Sequence, residues 1–254
     1  MSMRKKKAED QHIDAVLKDW PYDPEAVSVR LVEGTDGREL IQMRIEMGLL
    51  QLETSGRPDG EKPQGAGSYY EYLTDRYRSM EADDAFTADE CAECDREFVQ
   101  YYHRRICWLA MREFRKAVTD AEHTLGLMDL CRERSPDEEW TVSHEQYRPF
   151  VMFHRIQAEA LAELDQNGPE SAVAAVNDGL ERMREIFEDH GIDHAFDENE
   201  LVERLIEFRE TLREKFSVGK TLDEQLAEAI AQEEYEKAAR LRDALRDKDG
   251  RNPY

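Results

Sequence analysis

The chain is short of cysteine, of basic residues and of long apolar runs, and each shortage excludes something. Four cysteines in 254 residues are too few for a disulfide framework and suit a reducing compartment. No stretch approaches the roughly 18 consecutive apolar residues of a membrane helix. The basic start Met1-Ser2-Met3-Arg4-Lys5-Lys6-Lys7 runs straight into Ala8-Glu9-Asp10 with no apolar region, so it does not read as a secretory signal. Lys and Arg number 35 against 58 Asp and Glu, a formal charge of −23. A surface of that sign repels a phosphate backbone, because nucleic-acid affinity rests on Lys and Arg releasing counterions. The expectation is an acidic cytoplasmic protein that contacts neither membrane nor, directly, nucleic acid.

What is present is charge and helix. Charged residues make up 37% against 40% for the hydrophobic set, so the core is thin relative to the surface. Aromatic residues at 9% argue against wholesale disorder, and the length allows one elongated domain or two small ones.

Glycine and proline are sparse enough to act as punctuation. Residues 8–19 predict a short helix that ends before Trp20-Pro21-Tyr22-Asp23-Pro24. Val27, Val29 and Leu31 alternate with Ser28 and Arg30, and Gly34-Thr35-Asp36-Gly37 supplies a turn. The run from Leu40 to Leu52 then places Ile41, Met43, Ile45 and Met47 on one parity. This predicts a hairpin, with a bend or bulge at Gly48 and a third strand or a helix covering it. Residues 54–68 form a Gly/Pro loop that closes an N-terminal β unit at 1–67.

From Tyr69 onward the pattern is helical. Small polar residues followed three positions later by Glu or Gln mark helix starts at Thr87…Glu90, Ser135…Glu138, Ser143…Gln146 and Thr221…Glu224. Asn167-Gly168-Pro169 stops one helix and starts another, and Gly191 closes a third. The predicted helices cover 69–81, 88–110, 112–134, 144–166, 169–190, 198–216, 221–232 and 234–248. Short links between them predict antiparallel neighbours.

Two helical hairpins share a spacing. With Ala117 at the small position that opens a second helix, Phe114, Ala121, Leu125 and Leu127 fall at apolar or small places and Trp108 on the first helix's aromatic site. A second copy over 150–190 has Ala160, Ala172, Val176 and Leu180 in the corresponding roles. The pattern resembles tetratricopeptide repeats. Arg104 and Arg105 stand where Leu-Gly is usual, and Asp129 where Pro is usual. A generic helical bundle is the alternative. The fold class expected is mainly α: stacked TPR-like hairpins at 68–218, a small antiparallel β unit before them, a helical hairpin at 219–249 and a tail at 250–254.

That last hairpin carries the most specific motif. Leu222, Leu226 and Ile230 form one stripe, and Tyr235, Ala238, Leu241, Ala244 and Leu245 a second. So small a core needs to dock on something. The series Leu222-x3-Leu226-x3-Ile230-x4-Tyr235-Glu236-x-Ala238-Ala239-x-Leu241-Arg242-Asp243-x-Leu245 resembles the UVR domain, through which the excinuclease B and C subunits bind each other. Similar segments occur in Clp-family ATPases and in activators of a bacterial protein-arginine kinase. The whole order of parts is similar to that of planctomycete-type bacterial UVR proteins. The resemblance covers about 25 residues and implies a protein–protein adaptor without a cofactor. Its partner would be an excinuclease subunit, a Clp or kinase component, or a second copy, in excision repair or protein quality control. Leu222, Leu226, Ile230, Leu241 and Leu245 read as the packing between the two arms, with Ala238 and Ala239 allowing close approach. Tyr235 at the bend reads as the partner-facing anchor.

Catalytic and metal signals are weaker. Cys91 and Cys94 form one CxxC pair, whereas structural zinc needs four ligands and Cys107 and Cys131 are single. A zinc- or thiol-dependent regulator or enzyme using Cys91 and Cys94 is the competing reading. His190 and His194 flank Gly191 and need not share a face. Asp120…His123 only approximates the Glu-x-x-His of a di-iron bundle. Gly219-Lys220-Thr221 imitates the end of a P-loop, but position 214 is Glu where the opening Gly belongs.

Overall fold

The computed structural model describes residues 13–78 and 85–249. The basic run Arg4–Lys7, the first part of the predicted helix at 8–19, the end of that at 69–81 and the tail at 250–254 lie outside the described residues. The fold is mainly helical with a small three-stranded antiparallel sheet near the N-terminus. Two compact units, Met1–Arg155 and Ile156–Tyr254, divide within a helix. The boundaries drawn from the sequence at 67/68 and 218/219 fall inside these units.

In the first unit, strands β1 (Val29–Glu33), β2 (Glu39–Ile45) and β3 (Gly48–Glu53) lie in the order β1-β2-β3. Leu31 pairs with Ile41, and Ile41 in turn with Leu52. The Gly34–Gly37 turn forms where Gly37 adopts φ +82° and the Asp36 carboxylate accepts the Arg38 amide at 3.1 Å. The long apolar run of the second strand breaks at a Glu46–Met47 turn. Met47 is therefore 90% exposed rather than on the sheet's apolar face. Val27 precedes β1 and Leu31 lies on an edge strand, and both are exposed. Short helix α1 (Asp14–Leu17) precedes the sheet, and Arg44 donates to the Trp20 carbonyl at 2.9 Å, tying the intervening segment down.

The helices of this unit are α2 (Tyr69–Tyr77), α3 (Ala88–Ala110), α4 (Phe114–Arg134) and α5 (Glu138–Glu145). Thr87 and Glu90 form the predicted capping box on α3. At α5 the sequence reading needs correction. Asp137, not Ser135, is the cap, and its carboxylate accepts the Trp140 amide at 2.8 Å. A charged acceptor immediately before Glu138 suits the positive end of the helix better than a hydroxyl two residues earlier. Ser143 lies inside α5 and donates to the Trp140 carbonyl, so it starts nothing. The helix expected at 144–166 is instead α6 (Arg148–Gln166), with Pro149 in its first turn.

Buried charge joins the sheet, loop and helices. Glu97, fully buried on α3, accepts the Tyr69 and Tyr70 amides at 2.7 and 3.0 Å and so caps α2 from outside. It also meets His123 at 2.8 Å and Arg57 at 3.4 Å. Arg104 donates to Asp120 from Nε (2.9 Å) and Nη2 (2.7 Å), and from Nη1 to the carbonyls of Glu53 (3.2 Å) and Gly56 (2.7 Å). The apolar core lies around Leu73, Tyr77, Phe86, Leu127 and the cysteines.

The second unit contains the rest of α6, then α7 (Pro169–Asp189), α8 (Glu200–Phe216), α9 (Leu222–Ala231) and α10 (Tyr235–Asp249). Asn199 caps α8 through the amides of Leu201 and Val202. Gly191 takes φ +67° after α7. Gly179 on α7 lets Ile156 of α6 pack so closely that an added Cβ would sit 2.5 Å from its Cγ1.

Candidate functional site

Helices α9 and α10 form an antiparallel hairpin whose bend spans Gln232–Glu234, with Glu233 at φ +59°. Thr221 and Glu224 make the predicted capping box at its start. Glu224 does more than cap. Its carboxylate accepts from Arg213 on α8 and from the Thr221 amide at 2.7 Å. Burial works to raise this carboxyl, but the Arg213 and Thr221 bonds outweigh it and hold it below the usual glutamate value. Lys220 pairs with Glu228 at 2.8 Å. The residues of the P-loop imitation are thus a helix cap and an ion pair. Beside this base, Asn177, Asp178, Arg209 and Asp223 line a polar recess of about 510 Å3.

The hairpin's inner face differs from the reading of the sequence in one turn. Ala229 and Ala238 are its buried residues, with Leu222, Leu226, Leu241 and Leu245 half-buried. The inward stripe is therefore 222, 226, 229 against 238, 241, 245. At 3.6 residues per turn, i+7 stays on the face while i+8 drifts off it. Ile230, expected between the arms, is 56% exposed, and Ala239 also faces away. Ala229 was the missed contact, and its i+7 spacing from Leu222 was the available signal. Tyr235 is 70% exposed at the first turn of α10. Glu236 reaches Arg240 at 3.6 Å, and Arg242 lies 3.9 Å from its own neighbour Asp243, all on the exposed side. None of these bridges the two arms. Ile230 and Tyr235 thus flank the bend as two large solvent-facing apolar side chains.

The thiols lie elsewhere. Cys91 and Cys94 are buried on α3 in the core of the first unit, and Cys131 packs in the same cluster. Burial pushes the Cys91 thiol up to about 11, and a hydrogen bond with Cys131 together with burial pushes Cys94 well above the ordinary range. A thiol held protonated is a poor nucleophile and a poor metal ligand. Among the described residues no three His, Cys, Asp or Glu side chains gather as metal ligands. His123 stacks on Tyr101 with ring centroids 3.6 Å apart and bonds Glu97, while Asp120 is taken by Arg104, so those two do not share a ligand.

Among the described residues no helix is long and apolar enough to cross a membrane. Comparison of the chain with protein-family models, with curated proteins and with solved structures finds no match.

Proposed function

We propose that the chain is a non-catalytic adaptor that docks a protein partner through the α9–α10 hairpin. One observation carries this reading: the hairpin is fastened to its own unit at its base, through Arg213 and Glu224, while Ile230 and Tyr235 stand exposed at its bend. A large apolar side chain in water at a helix end costs free energy that an interface recovers, and aromatic residues lead such interfaces. The UVR-like residues Leu222, Leu226, Leu241 and Leu245 then hold the arms together, and Tyr235 with Ile230 is the contact surface.

The rest of the chain is the scaffold. Burial of Trp108, Phe114, Ala117, Ala121 and Leu127 in one helical pair, and of Ala160, Ala172, Val176 and Leu180 in the next, supports the TPR-like reading. The partner class comes from the resemblance: an excinuclease subunit, a Clp or kinase component, or a second copy of this chain, in the cytoplasm. The charge of −23 favours recruitment over direct contact with nucleic acid.

The test is binding of the purified full chain to an excinuclease B subunit, to a Clp-family ATPase and to itself, beside the variant carrying Ile230→Asp and Tyr235→Ala. The expected result is one interaction that the variant loses with its circular dichroism unchanged. Equal binding by the variant to every partner, or tight salt-sensitive DNA binding by the native chain, overturns the reading.

A further inference from the structure

The first unit holds a groove of about 690 Å3 that plays no part in the hairpin reading. Phe98, Val99 and Tyr102 on α3 form one wall, Met128 on α4 the floor, and Phe150 and Val151 on α6 the other wall. Its size falls in the range of small-molecule sites, which combine apolar walls with a few convergent polar groups. Here the polar group is Arg105.

Arg105 is 1% exposed. Its Nη1 donates to Thr124 Oγ1 at 3.0 Å, its Nε reaches His154 Nδ1 at 3.4 Å, and it lies 5.9 Å from the Tyr102 ring centre. Among the described residues no carboxylate forms an ion pair with it. Asp120, the acid whose charge acts on it, is committed to Arg104 through both oxygens. Desolvation accordingly pulls the Arg105 guanidinium down to about 10. A buried guanidinium without a counter-ion is costly, and it is retained where an anion completes it. At the rim His144 is already engaged, with Asp95 through Nε2 at 2.8 Å and with the Trp140 carbonyl through Nδ1 at 2.9 Å.

We propose that this groove binds a small monocarboxylate with an aromatic or aliphatic body, its carboxylate on Arg105 and its apolar part against Phe98, Met128 and Val151. Shape and charge select that class. A planar carboxylate matches the guanidinium fork and brings the single negative charge that one cation balances. A phosphate dianion leaves a charge uncompensated among apolar walls, within a chain already carrying −23.

The experiment is isothermal titration of the full chain with 4-phenylbutyrate and with its neutral counterpart 4-phenylbutan-1-ol. The acid is expected to bind with a Kd below about 1 mM, and the alcohol about tenfold or more weaker. Arg105→Gln is expected to abolish that difference. Val99→Trp, at an exposed position on the groove wall, is expected to weaken both ligands with the circular dichroism unchanged, so the proposal stays testable if Arg105→Gln fails to fold. Equal binding of acid and alcohol by the native chain overturns the proposal, as do undiminished acid binding in either folded variant and the lack of saturable binding.

Discussion

Arg104 and Asp120 meet in the core of the first unit as a bidentate pair, Nε to Oδ2 at 2.9 Å and Nη2 to Oδ1 at 2.7 Å, with both side chains almost fully buried. The same guanidinium spends its third nitrogen on the carbonyls of Glu53 and Gly56. One arginine therefore pairs two helices and anchors the chain leaving the sheet. Arg104 is thus a joint between the sheet and the helices.

Removing one partner of such a pair leaves the other buried and unpaired. Asp120→Ala is expected to destabilise the first unit by about 3–5 kcal/mol, measured by urea unfolding. Replacing both residues, with Arg104→Met and Asp120→Leu, is expected to cost less than the single change, since no orphaned charge remains in the core.

Close packing at Gly179 predicts a result opposite to helix propensity. Alanine ordinarily stabilises a helix interior by about 1 kcal/mol over glycine. At Gly179 its Cβ would lie 2.5 Å and 2.6 Å from Ile156 Cγ1 and Cγ2. Gly179→Ala is therefore expected to lower stability by about 1–3 kcal/mol, and combining it with Ile156→Ala, which removes both Cγ atoms, is expected to cost less than the sum of the two single changes, as read by thermal unfolding.

The hairpin base has a pH dependence of known sign. The folded-state pKa of Glu224 lies below its ordinary value of 4.5, so the ionised group stabilises the fold. That contribution is fully present above 4.5 and is lost as pH falls through the lowered folded value. Amide protection factors at residues 221–225, taken relative to the intrinsic exchange rate at each pH, are expected to fall in that acid window. In Glu224→Gln the same amides are expected to exchange faster at neutral pH and to lose the acid step. A native profile whose protection factors stay flat below 4.5 contradicts the assignment.

The four cysteines give a chemical readout of the core. All are buried, and the Cys107 thiol, like that of Cys91, is pushed up by burial, to about 12. Native protein is expected to react slowly with a thiol-specific disulfide reagent at pH 8, and denatured protein to titrate four thiols at once. Rapid reaction of Cys91 or Cys94 in the native state contradicts the description of the pair as core thiols.

Local chemistry was legible in the sequence and long-range chemistry was not. The limits of α3 and the caps at Thr87 and Thr221 follow from residues within one turn of each other, and they stand where the spacing put them. The Asp137 cap was missed because two acceptors, Ser135 and Asp137, compete within three residues and only the chain's path selects between them. Ile230 was misplaced because an i+8 position lies one residue from an i+7 alanine that fits between the arms more closely. Arg104 and Arg105 read as departures from a repeat. Their partners Gly56 and His154 lie 48 and 49 residues away, beyond the reach of any periodicity.

The bend of the α9–α10 hairpin is proposed above as the surface that meets a protein partner. Its most direct test places a photo-crosslinking phenylalanine analogue at Tyr235 in the full chain, beside a control at Ala239 on the arm's outer side. The account predicts intermolecular crosslinks from position 235 to an excinuclease subunit, a Clp-system component or a second copy of the chain, lost when Ile230→Asp is added. Crosslinks from position 235 only to residues of its own chain, or an identical set of products from both positions, would contradict it.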